Sequence, residues 1–179
     1  MTARFDRETA EDCFRLVFSH LPAVTAYAHR RGSPDADAIA AEAMAIAWRR
    51  LADVPVDDPL PWLVATARNL LLADARRRRG QRAVFREPEQ TVPSPEGILL
   101  DPQVEQALRA LRPLDREALL LIAWEDLTPS QAARALGISP TSFRVRLLRA
   151  RRRLQKLLDA AATDANRSPH LVQVDVEGT

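Results

Sequence analysis

The chain is poor in the residues that build closed chemical sites. Cys13 is its only cysteine, which excludes an intrachain disulfide framework and a cysteine-rich zinc centre. A reducing compartment, the cytoplasm, is the simplest home for such a chain. The three histidines, His20, His29 and His170, are scattered without metal-ligand spacing, so no metal site is expected. There are five glycines and no GxGxxG or Walker-type run, so no phosphate-cradling loop and no cofactor are expected. No apolar run approaches the ~18 residues of a membrane span, and no membrane partner is expected. The opening residues MTARFDRETAEDCF lack the apolar core of a secretory signal. Alternating β-branched residues are missing except at Val172, Val174 and Val176, which read as part of a tail without fixed structure. No nucleophile–base pair or paired-carboxylate constellation stands out, so no catalytic residue is assigned. Asp57-Asp58 comes nearest and reads better as a turn and cap.

What is present is helical pattern and sorted charge. The 179 residues are 46% apolar, enough to bury cores for one domain or two small ones. The net charge of +2 hides strong segregation. Residues 61–86 carry seven basic side chains and one acid, and residues 144–158 carry seven basic side chains and no acid. Residues 87–105 carry five acids and no base. Lys156 is the only lysine, so the cationic blocks are almost wholly arginine. Two concentrated cationic blocks point to a polyanionic partner.

Helical spacing runs through residues 8–30, where Phe14, Val17, Phe18, Leu21 and Val24 share a face and Pro22 predicts a kink or break. A second helix is expected from a Ser33 cap, with Pro34 at its first position, to about Leu51. Residues 52–60 read as a loop. A third helix starts near Pro59 or Pro61 and is expected to stop at Gly80. Residues 81–102 hold four of the thirteen prolines and few large apolar residues, and read as a flexible linker. Asp101-Pro102 opens a further helix, and Pro113 separates it from the next.

The sharpest local signal spans Leu127 to Leu158. Thr128-Pro129-Ser130-Gln131 has the form of a capping box with proline at the first helical position. A short helix then ends at Gly137, which can adopt the left-handed backbone of a tight turn. Ile138 is placed to plug the gap between helices, and Ser139-Pro140 starts a longer one. Together these make a helix-turn-helix. On the second helix Phe143, Leu147, Ala150, Leu154 and Leu157 form a buried stripe. Ser139, Thr141, Ser142, Arg144, Val145, Arg146 and Arg149 lie off that stripe or at the helix start, in the half from which a recognition helix reads bases. Arginine forks suit guanine edges and phosphates. The other cationic block, Pro61–Arg82, offers Trp62, Arg68, Asn69, Arg76 and Arg77 as nucleic-acid contacts, with a core role open for Trp62.

Three stretches in order now resemble the sigma-70 family of bacterial transcription initiation factors, in its short extracytoplasmic-function (ECF) group. Asp35 to Arg49 is similar to the family's acidic helix that docks on the polymerase clamp. Pro61 to Arg78 is similar to the helix that melts and reads the −10 promoter element. Leu111 through Arg153 is similar to the domain that reads the −35 element. The resemblance covers about residues 10–158. It implies an all-α fold of two small helical domains joined by a flexible linker: a region 2-like domain at 8–80, a linker at 81–102, a region 4-like helix-turn-helix domain at 103–158, and a disordered tail at 159–179. It further implies that Asp35, Asp37, Glu42 and Trp48 meet the RNA polymerase core at its β′ clamp. It places residues 52–60 on a loop that captures a flipped −10 base. Trp62, Arg68, Asn69, Arg76 and Arg77 then serve the −10 element, and the helix-turn-helix residues serve −35 promoter DNA. The family also has anti-sigma partners, though no residue here identifies one. Ala38 and Ala41 stand where the family usually carries Asp and Gln, and Val145 stands where a small polar residue is common. A stand-alone helix-turn-helix regulator acting as a dimer is the alternative, but it leaves Pro61–Gly80 and the acidic helix idle.

Overall fold

The computed structural model describes residues 7–85 and 101–167, with side chains described over 10–80 and 101–163. Helices dominate, and no strand occurs among the described residues. Val172, Val174 and Val176 lie outside them.

The first half is built of α1 (Arg7–Phe18), α2 (Leu21–Arg30), α3 (Ala36–Arg49) and α4 (Leu60–Phe85). The break expected at Pro22 falls at Ser19-His20, which leaves the proline in the first turn of α2, where its missing N–H costs nothing. The start of α3 differs from expectation. Asp35, not Ser33, caps it by accepting from the Ala38 amide at 3.4 Å. Ser33 Oγ instead accepts from the Asp35 amide at 3.4 Å, supporting the turn before the cap. That turn also uses Gly32 at φ +71°. A short 3₁₀ turn, Leu51–Asp53, follows α3.

Gly80 does not stop α4, which runs 26 residues to Phe85. The backbone at Gly80 is not left-handed, and helix-forming Arg and Gln flank it, so the chain accepts the ~1 kcal/mol cost of an interior glycine. The first residues expected in the linker are therefore helical, while residues 86–100 lie outside the described set.

The second half comprises α5 (Pro102–Arg109), α6 (Pro113–Ala123), α7 (Pro129–Leu136) and α8 (Pro140–Arg167). Asp101 caps α5 by accepting from the Gln103 amide at 2.7 Å. The turn from α6 to α7 passes through Asp126 at φ 53°, a conformation that Asp tolerates better than most residues. The capping box at α7 is complete, with both the Thr128 and Gln131 bonds formed. Gly137 ends α7 at φ 66°, ψ 32°. Residues 159–167, expected in a disordered tail, continue α8 instead. The run Ala160-Ala161-Ala162 favours helix, and Thr163 Oγ1 donates back to the Asp159 carbonyl at 2.8 Å.

α2, α3 and α4 pack on one another, with α1 laid against α3. α8 packs against α5, α6 and α7. Alanines at 28, 36, 40, 43, 47 and 67 are buried in the first half, and those at 118, 132, 133, 135 and 150 in the second. Phe143, fully buried, is among the bulkiest side chains of the second half's core. The two cores are not separate. α7 lies against α4, and most of the buried apolar residues of both halves form one continuous cluster.

Candidate nucleic-acid interface

The face of α8 follows from its sequence period. Phe143, Leu147 and Ala150 are buried, with Leu154 and Leu157 half-buried behind them. That stripe turns Thr141, Ser142, Arg144, Val145 and Arg149 to solvent. Ser139 precedes the helix and accepts from the Ser142 amide at 3.2 Å. Thr141, Ser142, Val145, Arg146 and Arg149 line an open cleft of about 410 Å³, closed on its other side by Arg112 and Asp115 of the α5–α6 corner. The structure thus brings the expected recognition-helix residues together at one concave surface, except that Arg144 and Ser139 stand outside the cleft lining. No ion pair engages Arg144 or Arg149 among the described residues. Arg146 differs: its Nη1 donates to Asp115 Oδ1 at 2.8 Å, which holds the guanidinium at the cleft wall. Among the described residues Asp115 is the one acid lining this cleft, and Arg146 offsets its charge.

The cationic face of α4 is arranged differently. Asp74 sits among its arginines and accepts from Arg77 Nη2 at 2.8 Å and Arg78 Nη2 at 2.7 Å. The hydrogen bond from Arg77 holds the Asp74 carboxyl below its usual range, assisted by the charge of Arg78 and opposed by slight burial. Arg79 donates to the Ala75 carbonyl at 3.2 Å. Asn69 and Arg76 are exposed, and Arg68 is half-buried. Trp62 is half-buried against the apolar core, with the Arg50 guanidinium 5.9 Å from its ring centre, so the open core role for Trp62 is the one its packing favours.

On α3, Asp37, Glu42 and Trp48 lie on one exposed face with Ala38 and Ala41 between them, while Asp35 is spent on the cap. Beside this face is a surface feature that the sequence did not reveal. Phe14, Phe18 and Trp48, with Glu11 and Arg15 at the rim, line a shallow apolar hollow of about 550 Å³. Phe14 and Trp48 meet edge to face at 4.9 Å. Helical spacing placed Phe14 and Phe18 on a core face, yet Phe18 is 47% and Trp48 48% exposed.

The contacts between the halves were also unforeseen. Arg31 at the end of α2 grips Glu117 of α6 with two bonds, Nε to Oε2 at 2.9 Å and Nη2 to Oε1 at 3.2 Å. Its Nη1 reaches Glu125 at 3.1 Å, and Arg30 pairs with the same carboxylate. The Tyr27 hydroxyl donates to Glu117 at 2.9 Å, with the Arg31 guanidinium 4.4 Å over its ring. Burial, and then the Glu117 charge, push the Tyr27 phenol well above its ordinary value. Burial works against the charged Arg31, but Glu117 and Tyr27 more than offset it, and its pKa is raised. A second contact joins the 52–60 loop to α7. Gln131 Nε2 donates to Asp58 Oδ1 and Oδ2 at 3.1 and 3.2 Å, and Arg134 pairs with the same carboxylate. No local period signals partners 73 to 95 residues away.

Among the described residues no group of three or more His, Cys, Asp and Glu side chains is placed to hold a metal ion, and no helix is long and apolar enough to cross a membrane.

A two-lobed helical protein with a helix-turn-helix in its second half is the class these features define. Residues 102–154 match the family model for sigma-70, region 4. Two solved structures share the fold over most of the chain. One is the sigma factor RpoE from Bartonella quintana, solved with the anti-sigma factor NepR. It is 26% identical, with a TM-score of 0.61 over 83% of this chain and 98% of that one. The other is CnrH, solved with the cytosolic domain of CnrY. It is 26% identical, with a TM-score of 0.57 over 87% of this chain and 97% of that one. No curated protein matches the chain. The region 4 match and the two structural likenesses support an ECF sigma-70 factor.

Proposed function

We propose that the chain directs RNA polymerase core to particular promoters and does no chemistry of its own. It works in the cytoplasm, docks on the β′ clamp through the exposed Asp37–Trp48 face of α3, and reads −35 DNA with the N-terminal half of α8. α4, with Arg68, Asn69, Arg76 and Arg77, and the 52–60 loop serve the −10 element, holding opened bases by binding energy alone. The observation that carries this reading is the α8 cleft. It presents Thr141, Ser142, Val145, Arg146 and Arg149 around one hollow on a helix whose opposite stripe is buried, while Arg144 stands exposed on the same half of the helix. The likeness extends through the first half as well, which a stand-alone dimeric regulator would not need.

Run-off transcription with purified core polymerase on genomic fragments tests the reading. Discrete starts that depend on the chain are expected; their absence at saturating chain refutes it. Glu42→Lys, at an exposed position on α3, should abolish co-purification with the core while leaving the circular dichroism spectrum unchanged. Normal co-purification would remove α3 from the docking surface.

A further inference from the structure

Two apolar side chains on α8 are left unused by the fold. Val145 is 42% and Leu148 51% exposed, whereas Phe143, Leu147 and Ala150 on the same helix are buried. Leu148 and Val145 lie roughly 130° and 170° around the helix from the middle of that buried stripe. The helix itself does not ask for them. Val is a weaker helix former than the Ala, Gln or Arg used elsewhere on α8, and a half-exposed Leu forgoes much of its burial. Single apolar residues scattered over a surface are ordinary, but these two are three apart and adjoin on the helix face. Thr141 and Arg149 flank Val145 at four-residue spacing, and Arg144 and Arg152 flank Leu148 in the same way, all four exposed. An apolar pair is thus set inside a mostly cationic rim, and Val145 shares the cleft lining with Thr141 and Arg149.

A polyanion seated on those arginines brings the pair against whatever lies between its phosphates. For a helix in the major groove, that is the row of base edges. The edges offer one apolar group, the C5-methyl of a pyrimidine: thymine carries it, cytosine lacks it, and 5-methylcytosine regains it. Side chains three apart on a helix stand about 5–6 Å from each other, against about 3.4 Å per base step, so the pair spans one or two steps. We propose that Val145 and Leu148 are specificity residues that read C5-methyl groups in the −35 major groove. The proposal rests on the promoter reading above and adds to it what α8 recognises between its phosphate contacts. Covering a methyl removes apolar surface from water without moving charge, so this discrimination holds as salt rises, while the arginine contacts weaken.

The probe is the duplex that the full chain, assembled with core polymerase, selects from random-sequence DNA. Replacing each thymine of its −35 stretch in turn by uracil deletes the methyl and nothing else. At one or two positions the exchange should weaken binding about fourfold, the worth of one buried methyl. A cytosine placed at such a position should bind about fourfold better once 5-methylated, and an effect confined to thymine identifies thymine as the source of the methyl. Val145→Ala with Leu148→Ala, both at exposed positions and both to a strong helix former, should bring the thymine-to-uracil affinity ratio to about one and leave the uracil duplex bound as before. Equal wild-type affinity for thymine and uracil at every position overturns the proposal, as does a ratio undiminished in the double variant. Loss of core binding by that variant with the ratio intact makes the pair a polymerase contact and overturns it too. Failure to select any duplex defeats the promoter reading, and this proposal with it.

Discussion

The two arginine-rich helices carry similar charge in sequence and present it differently in space. α4 contains its own acid: Asp74 engages Arg77 and Arg78, and Arg79 turns back to a backbone carbonyl. From 144 to 158, α8 contains no acid, and among the described residues only Arg146 is held in an ion pair, by Asp115 of another helix. Count of charge and availability of charge are therefore separate properties. Among the described residues Arg144 and Arg149 have no acid to give up to a phosphate or base, whereas binding at Arg77 must first displace one. Like charges along one helix destabilise it until an anion arrives, so α8 gains more from a polyanion than α4 does.

That difference can be broken or sharpened by mutation. The largest expected effect is at Arg144. Arg144→Ala should weaken duplex binding by about 1–3 kcal/mol and relax sequence choice, measured by fluorescence anisotropy on a fragment that supports initiation. An unchanged affinity and footprint would assign the reading role elsewhere on the α8 face. A smaller effect is expected at Arg77. Its exposed pair with Asp74 already answers part of its charge, so Arg77→Ala should cost roughly 0.5 kcal/mol or less in the same assay. A loss equal to that at Arg144 would show that the internal pairing does not matter. The smallest effect is in pH. The carboxyl of Asp74 is lowered in the folded chain, so its contribution to α4 is present above the ordinary carboxylate value and is lost as pH falls through the folded one. Arg77 and Arg78 should therefore be released only below about pH 4, visible as a chemical-shift change that Asp74→Asn abolishes.

Much of the second half was legible in its residues, because its signals are local. Thr128 and Gln131 form the box that their spacing announces, Gly137 takes the left-handed turn, and Phe143, Leu147 and Ala150 bury the stripe. Boundaries set by a balance of weak preferences were harder. Gly80 was outvoted by its helix-forming neighbours, Asp35 took the cap from Ser33, and the alanines after Asp159 prolonged α8. What sequence could not show was pairing at long range. Asp58 reads as a turn residue, and Glu117 and Glu125 read as ordinary helix acids. Their partners are fixed only once α7 lies on α4. Phe18 also misled: its helical spacing is that of a core face, as for Phe14, which does pack on the core, but α1 lies mainly on α3 and leaves Phe18 at the surface.

The central claim is that the chain's available cationic charge is presented on α8 to a polyanion. The most direct test is the salt dependence of duplex binding, compared between helices. For the wild-type chain a plot of log K against log salt should have a slope of roughly −5, as for about six neutralised phosphates. The account predicts that Arg144→Ala with Arg149→Ala reduces the slope by about two, and that Arg77→Ala with Arg78→Ala reduces it by less than one. A flat response in the wild type, or an equal reduction from both pairs, would contradict it.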